Sequence, residues 1–78
     1  MVHKEFMSKK ELKAYEEMEK DVMFLNHNYS VGETVKVRND NGFYDTDVIS
    51  SPFSIMSGQV VAWLEKKRSY LAERVEKV

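Results

Sequence analysis

Apolar residues in the first third of the chain fall at Leu12, Tyr15, Met18, Val22 and Leu25, three or four apart, with Lys10, Lys13, Glu16, Glu17 and Lys20 between them. That spacing gathers the apolar side chains on one stripe of an α-helix and leaves the charged ones to the rest of its surface. Ser8 followed by Glu11 makes a capping box, with Met7 and Leu12 in the flanking staple positions. The Asn26-His27-Asn28 cluster ends the pattern, so an amphipathic helix is expected over 8–26.

After Tyr29 the period changes from helical to alternating. Gly32 introduces Glu33-Thr34-Val35-Lys36-Val37-Arg38, a first strand with apolar and polar positions by turns. Asn41-Gly42 signals a two-residue type I′ turn, because both residue types tolerate positive φ, and a second strand over 43–50 follows. Such a turn sets Asp40 opposite Phe43, Arg38 opposite Asp45, Val37 opposite Thr46, Lys36 opposite Asp47 and Val35 opposite Val48. Two opposite-charge pairs then line one face, and Val35, Val37, Thr46 and Val48 line the other. Residues 50–59, with Pro52 and Gly58, read as a long connection carrying the apolar Phe53, Ile55 and Met56. The run Val60-Val61-Ala62-Trp63-Leu64 predicts a central third strand over 59–65, covered on both faces. Lys66-Lys67 turns the chain into a fourth strand over 68–72, and Glu73-Arg74 leads to a closing strand over 75–78.

Two of these segments carry a family resemblance. Val31-Gly32-Glu33-Thr34-Val35-Lys36-Val37 is similar to the opening of Src-homology-3-like barrels of the Tudor and KOW kind. Phe43-Tyr44-Asp45-Thr46-Asp47-Val48 resembles the second strand of Tudor domains, with Phe43 where those usually have tryptophan and Thr46 where they have alanine. The resemblance spans 31–78. It implies an α+β fold, an N-terminal amphipathic helix followed by a small antiparallel Src-homology-3-like β-barrel of four to five strands, in a single domain over 1–78. A chain this short, with a helix before a compact barrel, also looks like small accessory proteins of bacteriophages, many of which bind a host protein.

Composition narrows the classes. At 78 residues, 42% of them hydrophobic and 12% aromatic, the chain supports one modest core and no second domain. Cysteine is absent, which excludes disulfides, thiolate metal sites and cysteine nucleophiles. Twelve basic and 13 acidic side chains leave a net charge of −1, with no global field toward a polyanion. No apolar run reaches the roughly 20 residues of a membrane span, and residues 1–10 lack the apolar middle of a secretory signal. A cytoplasmic location without membrane contact is expected.

Candidate chemistry is sparse. Asp45 and Asp47 could act as paired carboxylates, but the predicted register makes them cross-strand partners of Arg38 and Lys36. Asn39-Asp40-Asn41-Gly42 is part of a calcium-loop pattern whose first and distal ligand positions fall on Val37 and Val48, so no metal site is expected. His3 and His27 have no ligand neighbours in the pattern, and no nucleophile elbow or glycine-rich loop is present. The chain is therefore expected to be no enzyme and to need no cofactor.

Two surfaces remain. Phe43 and Tyr44, with Phe53, Ile55 and Met56, are expected to form an aromatic edge for a protein partner, against the alternative that the apolar loop is a lid on a small core. Lys66, Lys67 and Arg68, approached by Trp63 and Tyr70, form a basic turn for nucleic acid, against the alternative of a solvated hairpin tip. The leading expectation is a non-enzymatic protein-binding module, as a phage-encoded regulator or inhibitor of a host protein; the alternative is a nucleic-acid-binding barrel. The helix stripe leaves both a monomer and a homodimer paired through the N-terminal helix open.

Overall fold

In the computed structural model, which describes residues 8–78, helix α1 (Lys9–Asn28) precedes a five-stranded antiparallel sheet. Its strands are β1 (Thr34–Arg38), β2 (Tyr44–Met56), β3 (Gln59–Leu64), β4 (Arg68–Leu71) and β5 (Val75–Lys77), with a 3-10 turn at Ala72–Arg74 before β5. The spatial order is β4-β3-β2-β1-β5; β4 and β5 do not pair, so the sheet is not closed into the expected barrel.

The helix starts where the capping signal puts it. The Ser8 hydroxyl accepts from the Glu11 amide at 3.2 Å, satisfying a backbone donor that has no intrahelical partner. Met7, the expected staple residue, lies outside the described residues. The helix runs two residues past its expected end because the Asn28 side-chain amide donates to the Phe24 carbonyl at 2.8 Å and supplies a partner for one of the last carbonyls. Tyr29 then turns extended.

The first hairpin departs from the expected register by one residue. Its loop is Asp40-Asn41-Gly42 rather than Asn41-Gly42, closed by Asn39 N to Phe43 O at 2.8 Å and Gly42 N to Asn39 O at 3.0 Å. Only Gly42 takes positive φ here, +83°, which makes this a three-residue loop with one left-handed position in place of a type I′ turn with two. The Asn39 side chain decides it: its Oδ1 accepts from the amides of Asn41 at 3.0 Å and Phe43 at 3.1 Å, closing the longer loop. The pairs are Val37 with Asp45, Lys36 with Thr46 and Val35 with Asp47. A one-residue slip exchanges the faces of a strand, so Asp47 points inward and Thr46 outward.

The expected connection over 50–59 is strand instead. β2 continues through it with register shifts between Ile49 and Ser51 and between Ser51 and Ser54, so Pro52 sits where no ladder hydrogen bond is required. The two-residue positive-φ turn occurs further on, at Ser57 (52°) and Gly58 (75°), between the paired Met56 and Gln59.

Alternation on β1 and β2 and the apolar run on β3 converge on one core: Val35, Val37, Ile49, Phe53, Ala62, Leu64, Ala72 and Val75. Leu25 and Tyr29 pack against it from the end of α1. No residue of α1 is itself buried; Leu12, Tyr15, Met18, Val22 and Leu25 are half-buried. Among the described residues no helix is long and apolar enough to cross a membrane.

Candidate functional site

The long β2 separates the residues expected to form one edge. Phe43, 72% exposed, and Tyr44, 49% exposed, stand at its start, whereas Ile55 and Met56 stand at its far end. Phe53 is 3% exposed, with its ring 5.4 Å from that of Tyr29 in the core. Its ring belongs to the core and shows only a small edge at the surface, in place of the exposed 53–56 loop that was expected. The bulges turn Phe53 inward, and pairing of Ile55 and Met56 with β3 makes the segment part of the sheet.

Where α1 crosses the β2–β3 hairpin, a different apolar surface forms. Met23 and Phe24 are 73% and 68% exposed and lie on opposite flanks of the helix. Phe24 borders a groove of about 460 Å³ with Met18, Leu25, Val60 and Leu71, edged by Asp21 and Glu73. Met23 borders a second, of about 350 Å³, with Tyr15, Val22, Phe53 and Ile55. Periodicity overlooks both residues because they lie off the predicted stripe. The signal for them is the unbroken run Val22-Met23-Phe24-Leu25: four consecutive apolar residues on a helix span more than one face, so some must face outward.

The paired carboxylates resolve into two separate roles. Asp47 is 1% exposed. Its Oδ1 accepts from the amides of Val48 at 2.8 Å and Lys66 at 3.0 Å, and its Oδ2 from the amide of Lys67 at 3.0 Å. Burial pushes this carboxyl up, but the amides of Lys66, Val48 and Lys67 outweigh it and its pKa lies below the ordinary value. Asp45 is exposed and pairs with Lys67 Nζ at 3.2 Å and Asn39 Nδ2 at 3.3 Å, which hold its carboxyl low as well. The expected partners Lys36 and Arg38 take part in neither contact, a consequence of the shifted register. Asp47 ties the β3–β4 turn to β2 and has no room for a substrate.

That clasp also determines how the basic turn behaves. The backbone of Lys66 and Lys67 faces inward to Asp47, the Lys67 ammonium is paired with Asp45 and lies 5.6 Å from the Tyr70 ring centre, and Lys66 Nζ donates to the Thr46 carbonyl at 3.2 Å. Arg68 is exposed at positive φ, 65°. Trp63 turns its ring nitrogen to Ser54 Oγ at 2.7 Å instead of toward the turn. The three cations are thus not presented together. His3 lies outside the described residues, His27 is in the last turn of α1, and among the described residues no three histidine or carboxylate side chains converge on a common point.

Compared with protein-family models, curated proteins and solved structures, the chain matches none.

Proposed function

We propose that the chain is a non-enzymatic protein-binding module whose docking surface is the side where α1 lies across the β2–β3 hairpin. The observation that carries this reading is the placement of Met23 and Phe24, both mostly exposed, on the rims of two apolar grooves. Large exposed apolar side chains beside concave apolar surface are the usual anchors of an interface. Met18 and Met23 add flexible, polarizable contact area that adapts to a partner's shape. Asp21 and Glu73 at the edge of the larger groove favour a partner whose apolar segment is flanked by lysine or arginine. A regulator or inhibitor of a host protein would act through this surface.

The finer reading of the fold belongs to the same proposal. A Src-homology-3-like arrangement of strands, left open between β4 and β5, is supported by the return of β5 to pair with β1 and by the bulges that carry β2 from its pairing with β1 to its pairing with β3. The half-buried stripe along α1 supports an amphipathic helix covering one end of that unit.

The test compares pull-downs from the source cell lysate by the wild type, by Met23→Ser/Phe24→Ser and by Phe43→Ser. A partner kept by the third and lost by the second is the expected result. Retention of that partner by Met23→Ser/Phe24→Ser, with circular dichroism unchanged, overturns the assignment.

A further inference from the structure

A chain of net charge −1 need not be neutral on every face, and here the ion pairs determine where the charge is left over. Asp45 is paired with Lys67, Asp40 with Arg74 at 2.5 Å and Glu33 with Lys77 at 2.7 Å, while Asp47 is enclosed by backbone amides. Five further acidic residues, Glu11, Glu16, Glu17, Glu19 and Asp21, are on α1, where Lys9, Lys10, Lys13 and Lys20 offset all but one of their charges. Of the cations on the sheet and its turns, Lys36, Arg38, Lys66 and Arg68 form no ion pair among the described residues, and the first three lie close together.

Lys36 and Arg38 share the outward side of the sheet, and Lys66 reaches its margin. Val35, Val37, Asp47 and Ile49 point inward, so the alternate residues Lys36 and Arg38 of β1 and Tyr44 and Thr46 of β2 point outward, in the register Arg38 with Tyr44 and Lys36 with Thr46. Lys66 brings its ammonium to the margin of β2 through the Thr46 carbonyl. The half-exposed ring of Tyr44 is paired with Arg38 across the ladder and lies 5.0 Å from Lys36 Nζ, and its hydroxyl is held by Glu76 at 2.7 Å. Glu76 is the one carboxylate placed on this face by the pairing of β5 with β1, so the cations outnumber it three to one.

Cations two residues apart on a strand are separated by about 7 Å and held in place by the ladder. That suits a flexible chain of phosphates, and a half-exposed ring among them suits a base, which stacks on an aromatic face whatever its sequence. An acidic peptide would use the charges, but its carboxylates are repelled by the negative face of the ring and gain nothing from it. We infer that the outward face of β1 and β2, built from Lys36, Arg38, Lys66 and Tyr44, binds single-stranded nucleic acid. The site is distinct from the helix grooves and moves any nucleic-acid contact from the 66–68 turn to the sheet, with Lys66 common to both.

The experiment is fluorescence anisotropy of a labelled mixed-sequence single-stranded oligonucleotide of about 12 nucleotides titrated with the full chain. With three phosphates neutralised, the slope of log affinity against log salt is about −2, a loss of about twentyfold between roughly 50 and 200 mM. Lys36→Gln/Arg38→Gln should flatten the same interval to about threefold, and Tyr44→Leu should weaken binding while leaving the salt slope unchanged. Met23→Ser/Phe24→Ser should bind the oligonucleotide like the wild type, which separates this inference from the protein-docking proposal. Absence of binding at low salt, or a folded Lys36→Gln/Arg38→Gln variant with wild-type affinity and slope, overturns it. Displacement of the oligonucleotide by polyglutamate at equal charge also overturns it, in favour of an acidic protein.

Discussion

The side chain of Asn26 exchanges two hydrogen bonds with the backbone of Phe53: Phe53 N donates to Asn26 Oδ1 at 2.7 Å and Asn26 Nδ2 donates to Phe53 O at 3.1 Å. A carboxamide presents one acceptor and one donor side by side, as a peptide group does, so Asn26 takes the place of the strand neighbour that the bulge denies Phe53. This pair fastens α1 to the sheet. Asn26→Ala should cost about 1–3 kcal/mol in urea denaturation, and hydrogen exchange in the last turns of α1 should accelerate. Unchanged exchange would place the attachment elsewhere.

The clasp at Asp47 carries a pH signature. Its folded pKa lies below the ordinary aspartate value of about 3.9, so its contribution is complete above that value and is lost as pH falls through the folded pKa. Asp45 and Glu33 are lowered too, Glu33 chiefly by its hydrogen bond from Lys77, and add the same sign in the same acid window. Asp47→Asn should cost about 3 kcal/mol near neutrality, since an amide nitrogen would confront a backbone N–H. The gap between wild type and variant should narrow below about pH 4. A constant gap from pH 7 to 3 would refute the role of the charge.

Phe53 and Phe43 are of one residue type and should behave oppositely. Phe53→Ala removes a ring from the core and should cost about 3–5 kcal/mol, enough to unfold much of a domain this small. Phe43→Ala should stay within about 0.5 kcal/mol, because its ring is mostly in solvent. Thermal melts of the two variants decide it.

The Ser57–Gly58 turn is open to improvement. Both residues have positive φ, and serine tolerates this less well than asparagine. Ser57→Asn should stabilise by about 0.5 kcal/mol and Gly58→Ala should destabilise by about 1 kcal/mol, read from denaturation midpoints.

Local periodicity made most of the elements legible. The capping Ser8, the alternation over Thr34–Arg38 and the apolar run of β3 each specify an element by themselves. The register of the first hairpin was not legible, because Asn-Gly fits both a two-residue and a three-residue loop and the choice rests on the Asn39 side chain. That single residue decided whether Asp47 was a surface ion or a buried clasp. Residues 50–59 depart from the expected connection for a related reason: proline and glycine mark a loop in general, but Pro52 falls at a bulge and Gly58 in a two-residue turn. Met23 and Phe24 do not stand out in the pattern, because a helical stripe marks the residues that face inward, whereas a surface is made of those left over.

Every open sheet has two outer strands, and here they are the shortest two, β4 with four residues and β5 with three. Edges of that length leave a neighbouring chain almost no main-chain ladder to extend. Polymerisation by strand addition is therefore disfavoured even in a protein that exposes methionine and phenylalanine. The surfaces proposed above work instead through side chains, whose identity a partner can distinguish, where backbone looks alike in every protein.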